Sequence, residues 1–370
     1  QMLMEIMGMQ LPGSSFVNPD TTHRRLLNEK AVEVATHNAS LGLERSISRI
    51  IDEKSIVNAI IGLLATGGST NHTIHLIAIA KAAGIIIDWE DMSDLSDIIP
   101  LITRMYPNGA ADVNHFHAAG GMSFVIKTLL YEGLLHDDVM TILGKGLSKF
   151  GMESKISNGK IEFVNGTDVS LNLSVIRPAS EPFSKDGGIK ILKGNIGRSV
   201  IKTAAVQKEN RIVEAPAIVF NEQEDLINAF KNNELNKDFI AVVPFQGPKQ
   251  NGMPELHNLT PSLTILQKRG FQIGLVTDGR MSGASGKVPA AIHLTPEALD
   301  GGLISKIETG DILKLDAENG TLNILNLKEV QQRAEKKITR KNTTSLGRGL
   351  FTNARKTVSS SEQGASFILD

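Results

Sequence analysis

The sequence predicts an α/β protein in which a mostly helical first part is followed by a β-barrel-like second part. Up to about residue 160, apolar residues recur at helical spacing. Beyond it, segments shorten, glycine and proline become frequent, and β-branched residues alternate with polar ones, which is typical of a barrel or a sandwich. The 370 residues, of which 41% are hydrophobic and 21% charged, are enough for two globular domains with a sizeable core.

Helical periodicity and capping residues define the elements of the first part. Ser69 or Thr70, which follow a Gly-Gly pair, suit the N-cap of a helix. Six helices are predicted, at Leu26–Arg49, Ile56–Ala65, Ser69–Ala83, Trp89–Leu101, Ala118–Leu135 and Asp137–Phe150. A short buried strand is predicted at Ile85–Ile87.

The second part is predicted to consist mainly of short strands with a few helices. The strands are expected at Ile161–Val164, Gly188–Leu192, Ile212–Glu214, Ala217–Phe220, Phe239–Val243, Ile273–Thr277, Ile312–Asp316 and Leu322–Leu325. The helices are expected at Gln223–Lys231, Ser262–Arg269 and, in the C-terminal region, Gly347–Lys356. A linker near Gly151–Lys160 gives predicted domains of residues 1–155 and 156–345, followed by a C-terminal helix and tail at 346–370.

Composition excludes several classes of function. The formal net charge is −1 and no basic stripe is present, so a nucleic acid is not expected as a partner. The chain contains no run of 18 apolar residues, so no membrane-spanning helix is expected. The chain has no cysteine, which rules out disulfides, thiolate nucleophiles and cysteine-ligated metals within it and fits a reducing cytoplasm. Because position 1 is Gln rather than Met, we expect the chain to be part of a longer protein.

Two loops that follow apolar strands carry the most informative polar residues. The segment FQIGLVTDGRMSGASGK, Phe271–Lys287, runs from a strand into a glycine-rich loop. Its polar side chains are Asp278, Arg280, Ser282, Ser285 and Lys287. The second loop, FQGPKQNGMPELH at Phe245–His257, holds one carboxylate, Glu255, which suits a metal ligand, a general base or a surface charge. Because the two strand–loop units are close in sequence, both loops are expected at one edge of the sheet, where sites usually form.

Two further segments are candidate contacts for an anionic ligand. The Gly68–Asn71 turn places Ser69, Thr70 and Asn71 at a predicted helix start, which suits either a phosphate or carboxylate or simply ordinary capping. His115 or His117, just before another predicted helix, is a second candidate. His72 and His75 are three residues apart, close to metal-ligand spacing, but packed or surface histidines are commoner.

Five segments together resemble the dihydroxy-acid dehydratase/phosphogluconate dehydratase family. They follow the family's order along nearly the whole chain: LPGSSFVNPD at Leu11–Asp20, ATGGSTNHTIHL at Ala65–Leu76, AAGG at Ala118–Gly121, QGPKQNGMPELH at Gln246–His257 and VTDGRMSGASGKVPAAIHLTPEA at Val276–Ala298. The resemblance covers only the C-terminal part of the family's length, since members carry a long portion before the position of Gln1. It implies a swivelling β-barrel-like second domain after a partial, mostly helical α/β layer domain.

The resemblance implies that water is eliminated from a sugar acid. A serine alkoxide takes the proton from C2, a 4Fe-4S cluster iron acts on the leaving hydroxyl, and a divalent metal, usually Mg²⁺, binds near the carboxylate end. Ser282 matches the family's base and Glu255 its metal-binding glutamate. Candidate substrate contacts are Ser69, Thr70, Asn71, His115, Arg280, Ser285 and Lys287. The family's cluster cysteines precede Gln1, so this cysteine-free chain is not expected to hold the cluster or to be active alone.

The expected reaction is dehydration of 6-phospho-D-gluconate to 2-dehydro-3-deoxy-6-phosphogluconate in the Entner–Doudoroff pathway. A dihydroxy-acid or aldonate dehydratase of the same family is the alternative enzyme. A non-catalytic sugar-phosphate-binding protein is the alternative from another class. The resemblance also implies a homodimer whose ligand is a small sugar-acid phosphate, and the expected location is the cytoplasm.

Overall fold

A computed structural model describes residues 1–106, 108–282, 287–336 and 351–369. The chain forms two compact units. Unit 1 comprises Gln1–Gly68, Ile79–Ile87 and Asp94–Gly188, and unit 2 comprises Ser69–Ala78, Asp88–Ser93 and Ile189–Asp370. The predicted division into residues 1–155, 156–345 and 346–370 stays a prediction.

Helices dominate the first 131 residues. They are α1 Met2–Ile6, α2 Thr22–Ser40, α3 Ile47–Ile50, α4 Glu53–Ala65, α5 His72–Ala82, α6 Trp89–Ile98, α7 Val113–Ala118 and α8 Gly121–Tyr131. Helix α4 begins with a capping box in which Asp52 and Ser55 each accept a backbone N–H of the other, and it packs against α1 in unit 1. Unit 1 also contains two hairpins, made of β1 Met140–Thr141 with β2 Gly144–Lys145 and of β3 Met152–Ser157 with β4 Lys160–Asn165.

Unit 2 contains a closed eight-stranded barrel. Its strands are β5 Ile189–Gly194, β6 Gly197–Lys202, β7 Ile212–Val219, β8 Phe239–Val243, β9 Ile273–Thr277, β10 Ala290–Thr295, β11 Ile312–Asp316 and β12 Thr321–Ile324. Around the barrel the order is β10-β6-β5-β12-β11-β7-β8-β9. The core is formed by inward-facing aliphatic side chains such as Val242, Val276 and Leu313.

Strands β7, β8, β9 and β10 run parallel to one another, and helices connect the first three. Helix α9 Gln223–Lys231 joins β7 to β8, and helix α11 Leu259–Lys268 joins β8 to β9. Parallel strands need such long crossover connections. Every residue of β8 and of β9 is buried, as expected for strands covered on both faces. Three short helices complete the unit: α10 Pro248–Asn251, α12 Leu327–Gln332 and α13 Thr352–Thr357.

The predicted fold class is confirmed, since helices in the first part are followed by a barrel. The bounds of α9, β8, β9 and β11 are those predicted. Strands β6 and β10 were not predicted. The two runs predicted at Ile212–Glu214 and Ala217–Phe220 form the single strand β7, because Pro216 lies within it without ending it.

The helix predicted at Asp137–Phe150 is wrong. The segment forms the β1–β2 hairpin and then a short 3-10 helix at Leu147–Gly151. Gly144 and Gly146 have φ values of +90° and +107°, which a right-handed helix does not allow and glycine readily adopts. The helical spacing of apolar residues in Asp137–Phe150 therefore does not correspond to a helix face.

Other boundaries also differ from the prediction. No strand forms at Ile85–Ile87, where Ile86 is 96% exposed. The predicted linker at Gly151–Lys160 contains strand β3 and the turn into β4. The helix predicted at Leu26–Arg49 ends at Ser40, and α3 is separate from it. The predicted C-terminal helix lies partly outside the described residues, and its described part is α13.

Among the described helices, none combines the length and the apolar character needed to cross a membrane.

Candidate functional site

The C-terminal ends of β8 and β9 lie side by side because the two strands are parallel neighbours. Asp278, the first residue after β9, is fully buried, and its carboxylate accepts backbone N–H groups of Phe245, Gln246 and Ala298 at 3.1, 2.8 and 2.9 Å. Burial raises the pKa of Asp278 to about 6, against the effect of these three hydrogen bonds. Asp278 thus ties the loop after β8 to the loop after β9 and to the segment after β10.

The carboxylate of Glu255 is the centre of the candidate site. Its Oε1 accepts the backbone N–H of Ser282 at 2.7 Å. Its Oε2 accepts from Arg280 Nη1 at 3.0 Å and from Asn71 Nδ2 at 3.2 Å. Arg280 also donates from Nε to the Met253 carbonyl at 2.5 Å. Three separate parts of unit 2 therefore meet at one half-buried carboxylate.

The turn before α5 is held against the loop that contains Ser282. The Thr70 hydroxyl donates to the Met281 carbonyl at 2.6 Å, and both residues are buried. Asn71 donates to Glu255, while its own Oδ1 is buried and finds no donor among the described residues. A buried amide oxygen without a donor is costly, so it suits a ligand hydroxyl that donates to it.

A buried histidine, His293, contacts the first turn of α5, next to the turn that holds Thr70 and Asn71. His293 lies in β10 with φ +59°, and its Nδ1 is 3.2 Å from the Thr73 hydroxyl. That hydroxyl donates to the Thr70 carbonyl at 2.9 Å, so it accepts from Nδ1, and we assign the hydrogen of neutral His293 to that nitrogen. Burial lowers the pKa of His293 to about 3, with the nearby charge of Arg280 acting in the same direction. The Trp89 indole donates to the Thr73 carbonyl at 3.1 Å and completes the cluster.

Of the nine predicted site residues, the structure brings five together: Thr70, Asn71, Glu255, Arg280 and Ser282. Ser69 is part of the same turn and accepts the Asn71 N–H at 3.3 Å. Lys287 is exposed, and its carbonyl accepts from Gln267.

His115 belongs to unit 1, where it is exposed and forms a capping box with Asp112 at the start of α7. Ser285 lies outside the described residues. The suggested histidine pair at His72 and His75 packs edge to face, and no group of three metal-binding side chains occurs among residues 1–106, 108–282, 287–336 and 351–369.

The residues that the structure describes do not fit the two groups that the resemblance implies. An iron–sulfur cluster needs thiolate ligands, and none of the 370 residues is cysteine. Mg²⁺ prefers six oxygen ligands in an octahedral arrangement. Glu255 offers one carboxylate, and both of its oxygens already accept hydrogen bonds.

Sequence reasoning missed the roles of His293, Thr73 and Trp89. One signal was available, because His293 is the single polar side chain in the apolar run VPAAIHL. No sequence pattern joins Thr73 to His293, since 220 positions separate them.

Comparison with known proteins gives matches along nearly the whole chain. Residues 1–150 match the model of the dihydroxy-acid/6-phosphogluconate dehydratase N-terminal domain, and residues 174–365 match the C-terminal one. A phosphogluconate dehydratase of Escherichia coli (strain K12) is 51% identical over 100% of this chain and 62% of its own length. One from Pseudomonas aeruginosa is 50% identical over 99% of this chain and 60% of its own length. A dihydroxy-acid dehydratase of Caldanaerobacter subterraneus subsp. tengcongensis is 34% identical over 99% of this chain and 63% of its own length. The chain thus spans less than two thirds of these relatives.

Proposed function

Because this chain belongs to the dihydroxy-acid/6-phosphogluconate dehydratase family, we propose that the whole protein is a hydro-lyase acting on 6-phospho-D-gluconate. The product is 2-dehydro-3-deoxy-6-phosphogluconate, as in the Entner–Doudoroff pathway. The observation that carries the proposal is the convergence of Asn71, Arg280 and Ser282 on the Glu255 carboxylate. Over nearly the whole of this chain, relatives named phosphogluconate dehydratase are about 50% identical to it, which supports the phosphorylated substrate.

Ser282 is the proposed acceptor of the C2 proton. A C–H bond beside a carboxylate is weakly acidic, and a serine hydroxyl is a weak base, so the site must favour negative charge. Glu255 fixes the backbone of Ser282, and Arg280 brings a positive charge to the same carboxylate. Positive charge near a hydroxyl favours its ionised form. The electron pair of the broken C2–H bond forms the C2–C3 double bond as the C3 hydroxyl leaves. The resulting enol then tautomerises to the 2-keto acid.

Asn71 is the proposed contact for a substrate hydroxyl. Its buried Oδ1 accepts nothing from the described residues, while its Nδ2 is held by Glu255. The amide is thereby fixed in orientation. It is suited to receive a hydrogen bond from the sugar acid.

The proposal includes a 4Fe-4S cluster and Mg²⁺ in the whole protein, held by ligands beyond those described above. We also propose that the protein is a cytoplasmic homodimer and that its ligand is a small sugar-acid phosphate. The formal net charge of −1 supports a small molecule over a nucleic acid as the ligand. Sedimentation of the full-length protein tests the dimer.

Replacement of Ser282 by alanine in the full-length protein tests the proposed base. We expect kcat for 6-phospho-D-gluconate to fall by about 100- to 10,000-fold, the usual contribution of a general base. Formation of the 2-keto acid is measured under anaerobic conditions, with circular dichroism as the check on folding. The control Ser174→Ala changes an exposed serine and should leave kcat unchanged.

Three outcomes would contradict the proposal in different ways. Near-normal turnover by Ser282→Ala would show that Ser282 is not the base. Preference of the wild-type enzyme for an unphosphorylated dihydroxy acid or aldonate would move it to another branch of the family. Tight binding of 6-phospho-D-gluconate with no turnover by the full-length protein would favour a non-catalytic sugar-phosphate-binding protein.

A further inference from the structure

A cavity of about 480 Å³ in unit 2 lies next to the Glu255 cluster. Arg280 belongs to both, because it lines the cavity and also donates to Glu255 at 3.0 Å. The volume lies in the range of small-molecule sites. The cavity is therefore suited to hold the part of a substrate that extends away from the reacting carbons.

One wall of the cavity is the C-terminal segment around α13. Ala354 and Arg355 of α13 line it, together with Phe351 and Val358, which flank the helix at its two ends. The neighbouring Lys356 is exposed and does not line it. The helix thus turns Arg355 toward the cavity and Lys356 away from it.

Contacts within unit 2 hold this segment in place. The Ser361 hydroxyl contacts the Met253 sulfur at 3.7 Å, and Glu362 pairs with Arg198 at 2.9 Å. The Ser359 N–H donates to the Ser366 carbonyl at 2.9 Å. Arg355 is therefore presented by an anchored segment, which lowers the entropic cost of binding a ligand there.

The charge of the described lining favours an anion. It contains two arginines, Arg280 and Arg355, and no carboxylate. Arg280 donates to Glu255 and to the Met253 carbonyl and also lines the cavity, so it joins the cavity to the Glu255 cluster. Arginine presents a planar fork of donors that matches phosphate oxygens, and such charge-assisted bonds are about twice as strong as neutral ones.

We propose that Arg355 binds the terminal phosphate of the substrate and makes the enzyme prefer a phosphorylated sugar acid. The inference rests on the proposed function and names the residue that selects its substrate. The reacting carbons of the sugar acid lie at Ser282, and the rest of the substrate extends past Arg280 to Arg355. Met253, Phe351 and Phe367 are apolar neighbours of Arg355 in the cavity lining.

The test compares two substrates in the full-length holoenzyme. For Arg355→Gln we expect kcat/KM for 6-phospho-D-gluconate to fall by about 10- to 100-fold, the loss of a hydrogen-bonded charge pair. The change for D-gluconate, which has no phosphate, should be much smaller, so the ratio of the two values falls. Arg355→Lys should recover part of the loss, and the matched control Lys356→Gln should leave the ratio unchanged.

A direct binding measurement gives an independent readout. Inorganic phosphate should inhibit the wild-type enzyme competitively, and Arg355→Gln should raise its inhibition constant by a similar factor. A second variant, Ala354→Glu, places a negative charge on the same cavity wall and should weaken phosphate inhibition even if Arg355→Gln folds poorly.

The results separate this inference from the proposed function. An equal loss for both substrates in Arg355→Gln, or a loss no larger than in Lys356→Gln, would overturn the phosphate site while leaving the dehydratase assignment intact. A wild-type enzyme without activity on 6-phospho-D-gluconate would overturn the proposed function. Even then, weaker binding of inorganic phosphate to Arg355→Gln than to the wild type would support the anion site.

Discussion

At Gly247 the backbone passes directly against the side chain of Glu297. A β-carbon built on Gly247 would lie 2.0 Å from Glu297 Oε2 and 2.8 Å from its Cβ. Glu297 is buried, and its Oε1 accepts the Lys249 N–H at 3.0 Å, so it has little room to move. The φ of Gly247 is −67°, which any residue adopts, so contact rather than backbone conformation requires glycine here.

Gly247→Ala is therefore expected to destabilise unit 2 by steric overlap. A cost of about 1–3 kcal/mol in the free energy of unfolding is typical of overpacking. Urea denaturation followed by fluorescence of Trp89, the single tryptophan of the chain, measures it. The control Gly274→Ala brings a methyl group no closer than 3.2 Å to Ile240 and should cost clearly less. Equal stability of Gly247→Ala and wild type would contradict the close contact.

The Thr73 hydroxyl joins the start of α5 to β10. Thr73 Oγ1 donates to the Thr70 carbonyl and accepts from His293, and both Thr73 and His293 are fully buried. Thr70 in turn holds the loop that contains Ser282. The position of the site turn thus depends on how a helix start packs against a strand.

Thr73→Val keeps the shape of the side chain but removes both hydrogen bonds. Leaving the buried Nδ1–H of His293 without an acceptor should cost about 1–3 kcal/mol in the free energy of unfolding. Trp89 donates to the Thr73 carbonyl, so its fluorescence reports directly on this region during urea denaturation. The matched control, Thr264→Val in α11, changes a partly exposed threonine and should alter stability by less than about 0.5 kcal/mol. An equally small loss of stability in Thr73→Val would contradict a stabilising hydrogen bond between His293 and Thr73.

At the scale of the whole molecule, buried ionisable groups make stability depend on pH. Burial raises the pKa of Glu5 in unit 1 to about 7, of Asp278 in unit 2 to about 6 and of Glu297 to about 7. Burial lowers the pKa of His293 to about 3. A raised carboxyl pKa makes the folded state hold a proton that the unfolded chain has lost, so the free energy of unfolding decreases as pH rises. A lowered histidine pKa has the opposite effect below its usual value of 6.5.

Glu297→Gln removes one of these titrations with little change of shape. Between pH 4.5, the usual pKa of the group, and about 7, wild type should lose stability relative to the variant. Below that window both folded and unfolded Glu297 are protonated, and the difference between the proteins should level off. Urea denaturation of both at pH 4, 5, 6, 7 and 8, followed by Trp89 fluorescence, measures the difference; the conditions span roughly the window set by the shift. Parallel profiles, like those expected for the exposed control Glu132→Gln, would show that Glu297 does not carry the effect.

The sequence by itself determined the succession of helices and barrel strands, because periodicity and β-branched runs are local properties. It also pointed to Glu255 and Ser282, since each lies in a glycine-rich loop after a buried strand. It misjudged Asp137–Phe150, where positive φ angles at two glycines override the apolar spacing. Local composition does not specify such backbone angles, and it gave no sign of strand β6 or of the partner of Thr73.

Only the tertiary structure decided which residues share a site. Asn71, Glu255 and Arg280 meet because the turn before α5 packs beside the ends of two parallel strands, and Thr70 and Asp278 fix those loops. The placement of Arg355 beside the same cluster likewise depends on the anchored C-terminal segment. Such contacts join positions up to 211 residues apart, and their free energy exists only once the chain has folded.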